Sequence, residues 1–208
     1  MLDGLCETSR YIHGLLAEVI EEIGAANVAL GGLSQGCAAT LIAFLTWDGE
    51  PLGAVFGFCG WLPFCSHMVE IMDPQPLSDE GDVVFGQSGN EKQELDLPAE
   101  AVVWLREEID LPITTPSSAP EISTVPTALN QPSSLEQLCV QRTPIFLAHG
   151  TEDEKVPIEL GYEARDCLAS MKASVSWREY GGLGHWYSGQ MLGDLVAFLG
   201  EETDWVEL

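Results

Sequence analysis

The segment from Asn27 to Leu45 constrains the fold of this chain more than any other. Its apolar start, Asn27 to Leu30, ends in Gly31-Gly32 and predicts a buried parallel strand that enters a turn. From about Gln35 the residues would form a helix with apolar side chains on almost every face, which predicts that this helix packs deeply against a sheet. Between them lies Gly32-Leu33-Ser34-Gln35-Gly36, a G-x-S-x-G sequence. In this strand-to-helix context it is typical of a nucleophile elbow, a sharp turn that exposes a serine hydroxyl.

The two glycines of the elbow predict close approach of the backbone, because a Cβ atom on either would clash with neighbouring main chain. The N-terminus of the following helix then faces the position where an oxyanion would develop. We therefore expect the Gln35 amide to be one oxyanion donor.

Strand and helix patterns also alternate through the rest of the chain, outside its middle. This alternation predicts βαβ units, that is, a parallel sheet with helices on both faces and functional residues at the carboxyl ends of the strands. The fold class is therefore α/β. The predicted helices are Glu7 to Ile23, Glu159 to Ser170 and Ser188 to Leu199, and the further predicted strands are Leu52 to Phe58, Pro144 to Ala148 and Ala173 to Tyr180.

The middle of the chain differs in composition. From about Ser66 to Arg142 prolines, serines, threonines and acidic residues accumulate, a composition that buries too little apolar surface to offset the entropy of ordering. We expect a single domain over residues 1–208 with a mobile insertion at about 66–141. Within the insertion, Ala99 to Ile109 predicts one short helix.

Charge excludes one class of partner. The chain has 33 acidic and 8 basic residues, a net charge of −25, and such a field repels nucleic acid and anionic lipid surfaces. The longest apolar runs, Cys37 to Leu45 and Leu52 to Phe64, are shorter than the ~20 residues that span a bilayer. The first residues show no secretory signal. We expect a cytoplasmic protein without integral membrane association.

The six cysteines are scattered, without CxxC spacing and without histidines at zinc-site spacing. We interpret them as reduced core residues. No metal site and no cofactor are expected.

A serine hydroxyl needs a base to act as a nucleophile at neutral pH. Of the four histidines, His185 lies in a glycine-rich loop between the last strand and the closing helix, where this fold places its base. His13 lies on the first helix and His67 opens the insertion. His149 ends a strand, and we expect it to have a structural role beside the turn.

An imidazole base needs a carboxylate to fix its tautomer. Glu152, Asp153 and Glu154 all follow the Pro144 to Ala148 strand, and their position leaves the choice among them open. With any of the three, the order serine, acid, histidine is that of the α/β-hydrolases.

Four blocks of the sequence resemble the phospholipase/carboxylesterase family, which includes the acyl-protein thioesterases, and its fungal members in particular. They are GGLSQGCAATLIAF, GFCGWLPF, PIFLAHGTEDEKVP and YGGLGHWYSGQMLGDLVAFL. The resemblance implies hydrolysis of carboxylic esters or thioesters, such as acylated cysteine, by a triad of Ser34, Asp153 and His185. The family pattern H-G-x-x-D-x-x-V-P selects Asp153 as the acid. Trp61 and Leu62 match a segment near the acyl site, although plain core packing explains them equally well.

The chain departs from the family in two ways. Family members usually begin with strands that carry an H-G-x-G-D loop, the source of a second oxyanion donor, and this sequence starts after that point. Compact members also lack the long insertion. We therefore expect a truncated α/β-hydrolase fold of about four strands with impaired activity.

The sequence leaves two alternative functions open, and the missing strands have one further consequence. One alternative is a related serine hydrolase that acts on small carboxylic esters. The other is a catalytically impaired truncated paralogue, or a gene-model fragment, of such a hydrolase. The strand at Asn27 to Leu30 would also lie at an open sheet edge, through which the chain could self-associate.

Overall fold

A parallel four-stranded sheet organises the residues that the structure describes. The structure is a computed structural model, and it describes residues 2–74, 96–113, 137–203 and 205. The strands follow one another across the sheet in chain order, and every neighbouring pair is parallel. They are β1 (Ala29–Leu33), β2 (Ala54–Phe58), β3 (Ile145–Gly150) and β4 (Val175–Tyr180).

Helices connect the strands and cover both faces of the sheet, which confirms the predicted α/β class. Each helix and strand predicted from the alternating pattern is present, with its ends displaced by a few residues. The helices are α1 (Leu2–Ile23), α2 (Gln35–Leu45), α3 (Cys65–Met72), α4 (Leu97–Glu108), α5 (Cys139–Arg142), α6 (Ile158–Ser170) and α7 (Gly189–Glu202), with a 3₁₀ turn at Ala25–Asn27.

The alternation of side chains along the strands divides the core into two layers. On one face, Ile145 and Leu147 of β3 lie in a large cluster with residues of α1, α2, α3, α4 and α6. On the other face, Phe146 packs against Phe198 of α7, with ring centroids 5.3 Å apart. The first layer, to which Val140 of α5 also belongs, is therefore built from six helices, and the second, among the described residues, mainly from α7.

Helix α1 lies outside α2 and covers it only in part. Leu16 is buried, but Leu15, Val19 and Ile23 of the same helix are exposed by 43%, 40% and 49%. The predicted helix is thus correct, and several of its apolar residues remain exposed.

The expected mobile insertion at 66–141 needs correction at two places. Met68 of α3 and Leu105 of α4 are fully buried in the larger core cluster, so both helices belong to the packed domain. Arg106 is also buried, and its guanidinium donates to the Pro112 carbonyl at 2.9 Å. Residues 75–95 and 114–136, which contain the low-complexity stretch, lie outside the described residues.

Strand β1 lies at one edge of the sheet. The Val28 carbonyl and the Ser34 N–H bond to β2, so the alternate residues Ala29, Gly31 and Leu33 direct their N–H and C=O groups away from β2. In the part of the chain that the structure describes, no strand pairs with these groups. The opposite edge, β4, differs because it carries the exposed charges of Arg178 and Glu179, which oppose strand pairing.

We predict that the isolated chain self-associates through the β1 edge, so that its sedimentation coefficient rises with concentration. Ala29→Pro removes one outward N–H group and should shift the chain towards monomer, since proline is tolerated on an edge strand. Val175→Pro, which removes an outward N–H from β4, is the matched control and should change nothing. A monodisperse wild-type monomer at every concentration, with a cooperative thermal transition, would contradict this prediction.

Candidate active site

Ser34 lies in the turn between β1 and α2 with φ 58° and ψ −122°, a conformation that non-glycine residues rarely adopt. Its N–H donates to the Phe58 carbonyl at 2.8 Å, which fixes the turn to β2. A Cβ atom on Gly32 would lie 2.2 Å from the Gly36 carbonyl carbon, so Gly32 is required. Apart from its chain neighbours and the backbone of its own helix, a Cβ atom on Gly36 would meet no described atom within 4 Å. The predicted steric need for both glycines is therefore correct for Gly32 and wrong for Gly36.

His185 lies in the loop between β4 and α7, and this loop is tied to the end of β3. The Glu152 N–H donates to the Leu183 carbonyl at 3.0 Å. A Cβ atom on Gly150 would lie 2.1 Å from the same carbonyl oxygen, so the close approach requires glycine there. The two loops that follow β3 and β4 are therefore held against each other.

Asp153 is the buried member of its acidic cluster. Its side chain has no exposure, whereas its neighbours Glu152 and Glu154 are exposed. Its Oδ1 accepts hydrogen bonds from the Lys155 and Val156 N–H groups, each at 3.0 Å. Burial acts to raise the pKa of Asp153, but the hydrogen bonds from Val156, His185 and Lys155 outweigh burial, and the pKa lies below its ordinary value.

The three side chains named from the sequence come together in one hydrogen-bonded chain. His185 Nδ1 lies 2.7 Å from Asp153 Oδ2, and His185 Nε2 lies 2.8 Å from Ser34 Oγ. An ionised carboxylate only accepts, so Nδ1 carries a proton and the Nε2 lone pair of the neutral ring faces the serine hydroxyl. The arrangement can take a proton from Ser34.

The other three predicted site residues, Gln35, Trp61 and Leu62, differ in their position and burial. Gln35 is the first residue of α2, and its N–H is one of the amides that lack a partner within the helix. Trp61 is half-buried in the loop after β2. Leu62 is 4% exposed and belongs to the larger core cluster, which favours packing as its role.

Two further residues lie near Asp153, and the sequence analysis named only one of them. His149, which was expected to have a structural role beside the turn, is buried, and its Nε2 lies 3.3 Å from Asp153 Oδ2. The Cys59 thiol lies beside the Asp153 carboxylate and donates to the Trp186 carbonyl at 3.5 Å. Burial raises the pKa of this thiol, which favours the donating form. Cys59 also has φ 47°, an unusual conformation directly after β2 that no local sequence pattern indicated.

The remaining histidines lie elsewhere. His13 Nε2 bonds to the Ala43 carbonyl at 2.7 Å, and His67 stacks on Trp104. Among residues 2–74, 96–113 and 137–203, no group of three or more His, Cys, Asp or Glu side chains is arranged to hold a metal ion. The helices of the same ranges include none that is long and apolar enough to cross a membrane.

Comparison with solved structures identifies the fold. SOBER1 from Arabidopsis thaliana superposes with a TM-score of 0.59 at 21% identity, over 95% of this chain and 64% of that one. The Zea mays acyl-protein thioesterase 2 superposes with a TM-score of 0.55 at 18% identity, over 97% of this chain and 65% of that one. These similarities establish a shared fold.

Comparison of sequences identifies the family. Acyl-protein thioesterase 1 of Gibberella zeae is 22% identical over 198 residues, and the match covers 95% of this chain but 57% of that protein. The profile of the phospholipase/carboxylesterase family matches residues 3–72 and 111–202, well over half of the sequence. The chain therefore belongs to the phospholipase/carboxylesterase family.

Proposed function

We propose that this chain is a serine hydrolase that cleaves carboxylic esters or thioesters, with Ser34 as nucleophile, His185 as base and Asp153 as the group that orients His185. The observation that carries the proposal is the pair of hydrogen bonds, 2.8 Å and 2.7 Å long, that links three residues from three separate loops. An exposed or coincidental cluster would not place a buried carboxylate, an imidazole and a strained serine in line.

In the first half of the proposed reaction, Ser34 Oγ attacks the substrate carbonyl while His185 Nε2 takes the hydroxyl proton. The buried Asp153 carboxylate stabilises the imidazolium that results. The negative charge on the carbonyl oxygen develops near the N-terminus of α2, where the Gln35 N–H is free to donate.

The imidazolium of His185 then returns the proton to the departing alcohol or thiol, and Ser34 remains as an acyl ester. A water molecule attacks this ester in the second half, with His185 as base, and the carboxylic acid leaves. The cycle consumes one water molecule and requires no cofactor.

The family and the names of the relatives support an acyl substrate. The Gibberella zeae and Zea mays relatives are named as acyl-protein thioesterases, which favours S-acylated protein as the substrate class for this chain as well. Hydrolysis of an S-acyl peptide, compared with that of a p-nitrophenyl ester of the same acyl chain, measures the preference between thioester and oxyester.

We predict that Ser34→Ala, His185→Ala and Asp153→Asn each lower kcat for p-nitrophenyl ester hydrolysis by about 10⁴-fold, because the three groups act as a unit. Glu152→Gln and Glu154→Gln are matched controls, since both carboxylates adjoin Asp153 but are exposed. They should leave kcat within about 2-fold of wild type, since interactions realised in the transition state are kept. Full activity in Asp153→Asn would transfer the orienting role to Glu152 or Glu154.

We also predict that a fluorophosphonate probe labels Ser34 covalently, since the probe reports an activated serine independently of substrate choice. Intact-mass and peptide analysis would locate the adduct. Ser34→Ala should remain unlabelled. A folded wild-type chain that takes up no label would favour the alternative, a relative that keeps the three residues but not the activity.

A third prediction concerns rate. We assign one oxyanion donor, the Gln35 N–H, and loss of a single donor typically costs ~10²-fold to ~10³-fold in turnover. We therefore expect kcat for p-nitrophenyl esters to fall below that of a serine hydrolase with two donors by about this factor. Equal rates under matched conditions would show that these 208 residues supply a second donor.

A further inference from the structure

His149 is a buried polar residue that the proposed mechanism does not use. It lies near the end of β3 with 1% of its surface exposed. Its Nε2 is 2.9 Å from the Val156 carbonyl oxygen and 3.3 Å from Asp153 Oδ2. A buried imidazole in contact with this carboxylate has a direct route to influence His185.

The partners of His149 fix its tautomer. A carbonyl oxygen can only accept a hydrogen bond, so Nε2 must carry a proton to bond to Val156 at 2.9 Å. Asp153 Oδ2 lies 3.3 Å from the same nitrogen, as an ionic contact, while the hydrogen bond goes to Val156. Asp153 Oδ2 is therefore in contact with two imidazole rings: it accepts a hydrogen bond from His185 Nδ1 at 2.7 Å and lies 3.3 Å from His149 Nε2.

The ring of His149 is fixed from its other side as well. A Cβ atom on Gly161 of α6 would lie 2.8 Å from His149 Nδ1 and 2.6 Å from the Trp177 ring. Only glycine at this position leaves the imidazole its place between α6 and the sheet. The ring is held by a strand, a helix and a hydrogen bond, and it offers a rigid donor.

The two oxygens of Asp153 depend on different supports. Oδ1 is held by the main-chain N–H groups of Lys155 and Val156. Oδ2 accepts its hydrogen bond from His185, which lies on a loop and is 14% exposed, and it lies against the ring of His149, which belongs to a strand. The Val156 carbonyl, on the segment whose N–H groups hold Oδ1, is itself bonded to His149 Nε2.

We propose that His149 is a positioning residue for Asp153: its Nε2–H holds the Val156 carbonyl, on the segment whose N–H groups bind Oδ1, and its ring lies 3.3 Å from Oδ2. The effect on turnover rests on the proposed function, but the placement of the carboxylate does not. His149 is buried beneath Asp153 and acts through it, so it affects kcat and leaves substrate binding unchanged.

The test compares two substitutions at one position. His149→Leu removes the donor, and we expect kcat for p-nitrophenyl ester hydrolysis to fall about 10-fold to 100-fold, since a misplacement of ~1 Å can cost ~10²-fold. KM should stay within about 2-fold, because the lost interaction does not bind the substrate. His149→Gln keeps an N–H donor of similar reach and should restore most of kcat.

A matched control separates positioning from loss of stability. His13→Leu also removes a histidine that bonds to a main-chain carbonyl, that of Ala43, but on α1 and away from Asp153. We expect it to lower the melting temperature and to leave kcat unchanged. Equal losses of kcat in His13→Leu and His149→Leu would overturn the proposal.

A spectroscopic measurement makes the result independent of turnover. The proton between His185 Nδ1 and Asp153 gives a low-field ¹H NMR resonance, which should shift or broaden in His149→Leu and persist in His13→Leu and His149→Gln. If wild type hydrolyses no ester, the proposed function fails, yet this resonance still decides the role of His149. An unchanged resonance in folded His149→Leu overturns the role.

A second variant applies if His149→Leu does not fold. Gly161→Ala keeps the histidine but places a methyl group 2.8 Å from its Nδ1, which displaces the ring. It should perturb the same resonance and lower kcat without raising KM. A folded Gly161→Ala protein with both quantities unchanged would overturn the proposal.

Discussion

The backbone hydrogen bonds at the carboxyl ends of the strands hold the candidate site together. Parallel pairing places these ends at one edge of the sheet, and the ladder continues into the loops beyond them. The N–H groups of Ser34, Cys59 and Thr151 donate to the carbonyls of Phe58, Ala148 and Tyr180 on the adjacent strands. Each loop therefore begins from a fixed position. The short contacts among Ser34, His185 and Asp153 follow from this register.

The sequence predicted the parts of the site that depend on local chemistry. Strand, G-x-S-x-G and helix patterns are short-range, and they located Ser34 and the elbow correctly. Glu152, Asp153 and Glu154 could not be separated by position, and resemblance to the family was needed to choose. In the structure, Asp153 is the one of the three that is turned inward, where the Lys155 and Val156 amides bind it.

The features that sequence analysis missed depend on contacts between distant segments. Gly36 fits the pentapeptide, yet nothing described crowds it, and only the packing around the turn reveals this. The composition of the middle of the chain, averaged over many residues, placed α3 and α4 in a mobile region. Their packing depends on a few buried residues such as Leu105, which such an average does not reveal. The contacts of His149 could not be predicted from the sequence, because its partner Val156 and its neighbour Gly161 meet it only in the folded chain.

The sequence separation within the site has a consequence for how the chain folds. Ser34 and His185 are 151 residues apart, and their contact requires all four strands to be in register. Closing such long loops costs entropy before any contact compensates for it, so parallel sheets of this kind assemble slowly. The hydrogen bond between Ser34 and His185 should therefore be among the last native contacts to form. Intermediates that already contain most of the helices would still have this pair apart, so the site forms only with the completed topology.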